Sequence, residues 1–316
     1  MPNPESATNG FTLAWAGILL VVALGALYFQ LSLPGKLPTE QAFREVAAVL
    51  ANEGKEGDVV LLYPWWIERA RLFVPKAIPV VGYLGSDGDP LAAYSRIWVL
   101  AQPRLPRSDF NGFDYRYLNG RDPLGSPRHF GNLQLSLYRN RLHRPIVFSA
   151  VSESASARVY LEQGDHARLD CPFDGKAHRC PGAERLHVAP EWHEVLYQPR
   201  FCLWMHPPGG SRRIAAEFPH ARWGERLTLA AGIIGELAFH HEPELTPTQV
   251  VVEEMASGQK LLEIIIPPGR EGIFQDSRPA TGAVHDPVGL RLWVRSENPA
   301  LREACVELFS DRANTQ

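Results

Sequence analysis

FTLAWAGILLVVALGALYFQL, Phe11–Leu31, carries no charged side chain, and only Thr12 and Gln30 are clearly polar. Its 21 residues, wound as a helix at about 1.5 Å each, span roughly 30 Å, the thickness of a bilayer's hydrocarbon core. Trp15 near one end and Tyr28 with Phe29 near the other suit the interfacial aromatic belts. A cleaved signal peptide would show a basic leader and a small-residue cleavage site. Residues 1–10 contain neither Lys nor Arg, and Leu31-Ser32-Leu33-Pro34-Gly35 follows the apolar run. The expectation is a retained transmembrane helix over 11–31, behind a short tail over 1–10.

Outward from this helix lies a long polar body. The chain has 316 residues, enough for about two domains of roughly 150 residues. Lys plus Arg number 32 against 35 Asp plus Glu, a net charge of −3. That balance lacks the basic footprint that nucleic acid requires. The 26 glycines and 27 prolines have no collagen-like period and point to many turns. After the Pro34–Pro38 linker, Thr39 is placed to cap a helix with Ala42, Val46, Val49 and Leu50 on one face. DVVLLY (58–63) is a continuous apolar run, as in a strand covered on both sides. A short helix over Trp66–Phe73, a second run at Ile78–Val81 and RIWVL (96–100) follow, which suggests a small, mostly parallel sheet. QLSLY (134–138) alternates like an exposed or antiparallel strand.

The run Gly57–Pro64, the strand Arg96–Leu100 and the stretch Leu133–Arg139 together resemble a known soluble domain. It is the extracytoplasmic α/β domain of bacterial dolichyl-phosphate-mannose mannosyltransferase-like membrane glycosyltransferases. The resemblance covers residues 38–140 and implies an extracytoplasmic position. It implies no activity, because that family's catalytic carboxylates lie between membrane helices and this chain shows one such helix.

With a boundary placed near 143, short strand-like runs recur at 157–161, 212–218, 226–231, 248–253, 261–266, 289–294 and 304–309. Ile214, Ala216 and Phe218 share one face, as do Leu290, Leu292 and Val294. Such a series reads as an antiparallel sandwich, and its pattern resembles a galactose-binding-like jelly roll. The expected organisation is therefore a transmembrane helix, a small α/β domain over 38–142 and an all-β, jelly-roll-like sandwich over 143–316.

All four cysteines lie in the second half. Cys171 and Cys180 bracket a Pro- and Gly-containing loop, while Cys202 and Cys305 sit in short apolar runs. Two disulfides pairing them in that way would imply an oxidising compartment. Four buried thiols, or a zinc site using His178 and His187, are the alternatives, although no CxxC pair is present. Lys36 and Arg44 after the helix, read literally, place the body in the cytoplasm. The cysteines favour an extracytoplasmic, periplasmic body on a bacterial inner membrane.

Chemical motifs are sparse. Asp87-Gly88-Asp89 has the DxD form of some sugar-nucleotide enzymes, but GSDGDP is equally a turn. His240-His241-Glu242 lacks a third ligand, and no GxSxG, P-loop, GxGxxG or HExxH occurs. No catalytic residue, metal or cofactor is expected. The binding candidates are Trp293 between Arg291 and Arg295, and the Trp65-Trp66 pair after the first strand. Gly17, Val21, Leu24, Gly25 and Tyr28 share one helix face that could receive another membrane helix. The leading functional expectation is a non-catalytic, single-span accessory subunit of a larger membrane complex, of photosynthetic, respiratory or secretion type. Its partners would be other membrane subunits and the lipid bilayer. The alternatives are a membrane-anchored glycan-binding envelope protein and a glycosyltransferase-related enzyme.

Overall fold

A computed structural model describes residues 4–65, 67–82, 91–103, 117–163, 167–183, 185–196, 198–279 and 287–313. Helix α1 (Pro4–Lys36) contains the window Trp15–Ser32, apolar and long enough to cross a membrane. Side chains from Trp15 to Leu31 are exposed along it, Gly17, Val21, Leu24, Gly25 and Tyr28 among them. Its carboxyl end meets the body at Asn132, whose amide donates to the Gly35 carbonyl at 3.1 Å.

Helix α2 (Glu40–Glu53) starts where the Thr39 hydroxyl accepts from the Ala42 backbone N–H. Its apolar face buries Ala42, Phe43, Val46 and Leu50. That face packs on a six-stranded sheet made of β1 (Asp58–Tyr63), β2 (Val80–Val81), β3 (Arg96–Ala101), β4 (Arg121–Pro123), β5 (Arg128–Phe130) and β6 (Leu133–Asn140). The order is β2-β1-β3-β6-β4, with β5 also on β6. Only the β1–β2 and β1–β3 pairs are parallel; β6 runs antiparallel to β3, β4 and β5. The sheet is thus mixed, not mostly parallel as expected from the alternation of elements. The short helix expected over 66–73 is one 3-10 turn at Glu68–Leu72. Buried Asp58 joins β1 to β3, accepting from Arg96 Nε (2.7 Å) and from Trp98 Nε1 (2.8 Å).

Two further sheets use β7 (Ile146–Ser149), β8 (Arg158–Gln163), β9 (Ala167–Asp170), β10 (His178–Arg179), β11 (His187–Val195), β12 (Gln198–Met205), β13 (Arg213–Arg222), β14 (Arg226–Ile233), β15 (Thr248–Glu254), β16 (Lys260–Ile266), β17 (Phe274–Pro279), β18 (Pro287–Arg295) and β19 (Ala304–Asp311). The second sheet runs β10-β11-β12-β19-β14-β17, with β7 also on β19. The third runs β16-β15-β18-β13-β8-β9. Between them lies one apolar core. Leu203, Leu229, Ala231, Val306 and Leu308 meet Ile214, Ala216, Phe218, Leu290, Leu292 and Val294, so the body is mostly a β-sandwich. Arg144 stands at the join. Its backbone N–H donates to the Ala92 carbonyl, and its guanidinium holds Asp311 at 2.7 Å.

Both disulfides form as expected, Cys171–Cys180 and Cys202–Cys305. His178 is not a zinc ligand here: its ring nitrogens approach the Cys171 and Ser154 carbonyls.

Candidate functional site

Strands β11 and β12 pair from Val188↔Met205 out to Val195↔Gln198, forming a long hairpin. Strand β12 meets β19 only at residues 203–205, and β7 then takes over that edge of β19. The outer part of the hairpin therefore leaves the sheet. At its turn Leu196 has φ 49°, a left-handed conformation costing a non-glycine residue about 1–2 kcal/mol. Adjacent packing offsets this. Val195 joins the buried Cys202–Cys305 bridge with Ile234 and Ile273. Gly232 makes room for it, since a Cβ there would lie 2.7 Å from Val195 Cγ1.

Directly opposite each other on the departing hairpin stand Trp192 and Phe201. They share the face that, nearer the sheet, carries the core residues Val188, Leu203 and Met205. Beyond the core none of the described residues covers that face, and Trp192 is 60% and Phe201 46% exposed. Their ring centroids are 5.4 Å apart and tilted by 42°. On the hairpin's other face, His187 stacks on Trp204 at 4.0 Å, with His206 and His193 at 5.9 and 6.4 Å. Glu191 lies 3.5 Å from His187 and 3.2 Å from His193. Burial holds His187 and His206 below the usual imidazole pKa, so these two rings are largely uncharged at neutral pH. The Arg200 guanidinium nearby is held by Glu307 at 2.8 Å. The result is a rigid backing for two outward rings.

The outer face of the third sheet, where Trp293 was expected as a stacking surface, is closed. Trp293 is only 8% exposed; its indole donates to Glu253, and the Arg213 guanidinium lies 4.9 Å over its ring. Arg213 reaches Glu162 and Glu253, and Glu162 in turn faces Arg168. Arg168 reaches Glu217, Glu217 reaches Arg291, and Arg291 returns to Glu253. Three arginines and three glutamates thus form a closed, alternating ring above Trp293 and Tyr160. Tyr160 donates to Glu217 at 2.7 Å and lies under Arg168. Arg291 is spent in this ring, whereas Arg295 is exposed beyond it.

Trp65 follows β1 and is 41% exposed; Trp66, Asp87 and Asp89 lie outside the described residues. His240 pairs with Glu242 at 2.7 Å, and no group that could hold a metal ion occurs among the described residues. Sequence reading missed the Trp192–Phe201 pair because the hairpin itself was not foreseen. The available signal was Val188, Pro190 and Trp192 alternating along one run, followed by the continuous apolar run 201–205.

No protein-family model matches the chain, and no curated protein does. Among solved structures, the chain is similar to the CBM51 module from Clostridium perfringens GH95 in complex with methyl-galactose. That match has 10% identity and a TM-score of 0.24, over 49% of this chain and 77% of that one. A xylan-binding module, CBM15, matches at 3% identity and a TM-score of 0.29, over 51% and 95%. Family 16 Carbohydrate Binding Module-2 matches at 13% and 0.23, over 40% and 82%. Likeness at this level establishes no ligand for this chain, and the glycosyltransferase-domain resemblance of residues 38–140 gains no support from it.

Proposed function

We propose that this chain is a non-catalytic, membrane-anchored glycan-binding protein. Residues 11–31 are its anchor, 38–142 a small α/β spacer domain and 143–316 the sandwich that carries the site. The two disulfides support an extracytoplasmic body, because such bridges persist in oxidising compartments. The observation that carries the reading is the Trp192–Phe201 pair. Two tilted, half-exposed rings on a braced hairpin match the apolar face of a sugar ring, and their core-side neighbours need no cover from them. Trp192→Ala and Phe201→Ala are each expected to weaken glycan binding about tenfold, as loss of one ring stack implies. Stability should stay within about 0.5 kcal/mol, since both rings lie outside the core. Calorimetry of the full chain against a glycan library checks this. Unchanged affinity in the doubly substituted chain rejects the reading.

A second reading, the accessory subunit, draws on the anchor alone. A Cβ at Gly17 or Gly25 would meet nothing within 4 Å, so that face can admit a close helix. Gly17→Leu with Gly25→Leu should insert normally yet weaken co-purification of a membrane partner. Leu19→Ala with Val22→Ala should not. Equal retention of the partner by both pairs makes the helix a tether only.

A further inference from the structure

The hairpin that carries Trp192 and Phe201 joins β19 through Leu203↔Val306, Trp204↔Cys305 and Met205↔Ala304. The imidazole stack lies on the middle pair. His187 meets the Trp204 ring at 4.0 Å, and His206, just past β12, meets it at 5.9 Å. A change that separates these rings therefore acts at the hinge of the hairpin. The Cys202–Cys305 bridge beside the hinge keeps a loosened hairpin tethered, so the movement can reverse.

Both rings are built into the hinge as neutral groups. His187 turns Nε2 toward Glu191, 3.5 Å away, and its Nδ1 is buried with no hydrogen-bond partner among the described residues. The Nδ1 of His206 is buried and unpartnered in the same way. An imidazolium carries N–H on both nitrogens, so charging either ring creates a buried donor without an acceptor.

Charged groups face the two rings from every neighbouring element. Glu191 and His193 stand on β11, and Glu303 precedes β19. Arg185 comes from the loop before β11, and Arg179, itself paired with Asp174, lies opposite His187 on β10. The carboxylates of Glu191 and Glu303 favour a charged ring, while the two arginines oppose it, and a charged His187 opposes a charged His206. Burial outweighs these influences and holds both rings below the ordinary 6.5. As pH falls, rings freed from the stack bind protons before rings within it. The hinge is thus at full strength above about pH 6.5 and weakens below it.

We propose that this hinge is a pH switch on the glycan site: protonation of His187 and His206 loosens the hairpin and disperses the Trp192–Phe201 face, releasing the ligand in acid. The effect on binding rests on the hairpin reading; the loosening of the hinge does not.

The test records amide hydrogen exchange of the full chain in detergent micelles at about pH 7.5 and about pH 5, corrected for the intrinsic rate at each. Protection over residues 187–205 should fall about tenfold at the lower pH, as proton uptake on opening implies, while the third sheet keeps its own. His187→Phe with His206→Phe retains aromatic rings against Trp204 and removes their titration. The ratio of protection at the two pH values, taken within that protein, should then be near one. Glu191→Gln removes a charge that favours the imidazolium, so there the fall should deepen. Equal protection of the parent at both pH values overturns the proposal, as does the parent's fall persisting in the phenylalanine protein or an unchanged fall in Glu191→Gln. An array of neutral glycans, whose own charge does not vary with pH, reads binding in parallel. Binding lost in acid by the parent and kept by the phenylalanine protein supports the switch. Equal binding at both pH values removes the switch and leaves the hairpin reading standing. Absence of binding at either pH rejects the hairpin reading, and the switch on binding falls with it even where exchange shows the hinge loosening.

Discussion

Paired alanine substitution of Cys202 and Cys305 is expected to lower the stability of the sandwich by about 4–5 kcal/mol. The same treatment of Cys171 and Cys180 should cost only about 2–3 kcal/mol. The difference follows from loop length. The first bridge joins residues 103 apart and the second residues nine apart, and closing the longer loop removes more freedom from the unfolded chain. Packing adds to it, because the long-range bridge is buried under Val195, Ile234 and Ile273, and two alanines would leave a void there. Urea midpoints by tryptophan fluorescence, with circular dichroism as the second probe, measure both losses. Equal losses, or a larger one at the short loop, would contradict the account. Four free thiols in native protein would remove the bridges and the extracytoplasmic placement together.

The ion-pair ring provides the other large effect. Glu217→Ala leaves the Tyr160 hydroxyl without its acceptor and Arg168 and Arg291 with one longer carboxylate contact each, to Glu162 and Glu253. Breaking such a partly buried cluster costs about 3 kcal/mol, the low end for buried pairs. Glu217→Gln keeps an acceptor for Tyr160 and should cost less. Stability should also fall at both ends of the pH scale. Burial pushes the Glu162 carboxyl up, but the Arg213 hydrogen bond and the charges of Arg213, Arg168 and Arg291 outweigh it, so its pKa lies below the ordinary 4.5. Its stabilisation is complete above about pH 4.5 and is lost as acid protonates it in the fold. Burial, and then the bond to Glu217, pushes Tyr160 above the ordinary 10.0. Its share is present below pH 10 and is lost above, where the unfolded phenol ionises first. Alanine at Glu217 should reduce the alkaline limb in part, since burial is the larger cause of the Tyr160 shift, and leave in place the acid limb, which rests on Arg213. A pH series of urea midpoints with an unchanged alkaline limb would refute the Tyr160–Glu217 bond.

The sequence displayed those features that depend on neighbours in the chain. Phe11–Leu31 could be read from composition, and DVVLLY from both of its faces being apolar. Ile214, Ala216 and Phe218 could be read from alternation, because the core lies on one side only. Alternation also placed Trp293 correctly on the outward side of β18. It could not show what lies above that side, because Arg213 comes from a strand 80 residues earlier and reaches the ring only through the sheet order. The mixed sheet was misread for a similar reason. Periodicity tells which face a strand buries, and pairing direction depends on connections that it does not encode. Trp192 was visible as a tryptophan, but its exposure arises where β12 leaves β19, and that parting is a property of three strands together.

That parting also sets the order in which the protein can be made. Strand β19 lies inside the second sheet, with β14 along one edge and β12 then β7 along the other, yet it is the last of these strands to leave the ribosome. Until it arrives, β7 has no partner in that sheet, the β10–β12 hairpin array and β14 are separate pieces, and Cys202 has no Cys305 to join. A chain emerging N-terminus first therefore holds half a sandwich open, with its apolar inner face wet, until that strand arrives. Closure comes as a single late event at the C-terminal strand, so shortening the chain by that one strand should leave a protein that cells degrade, not one that is merely weakened.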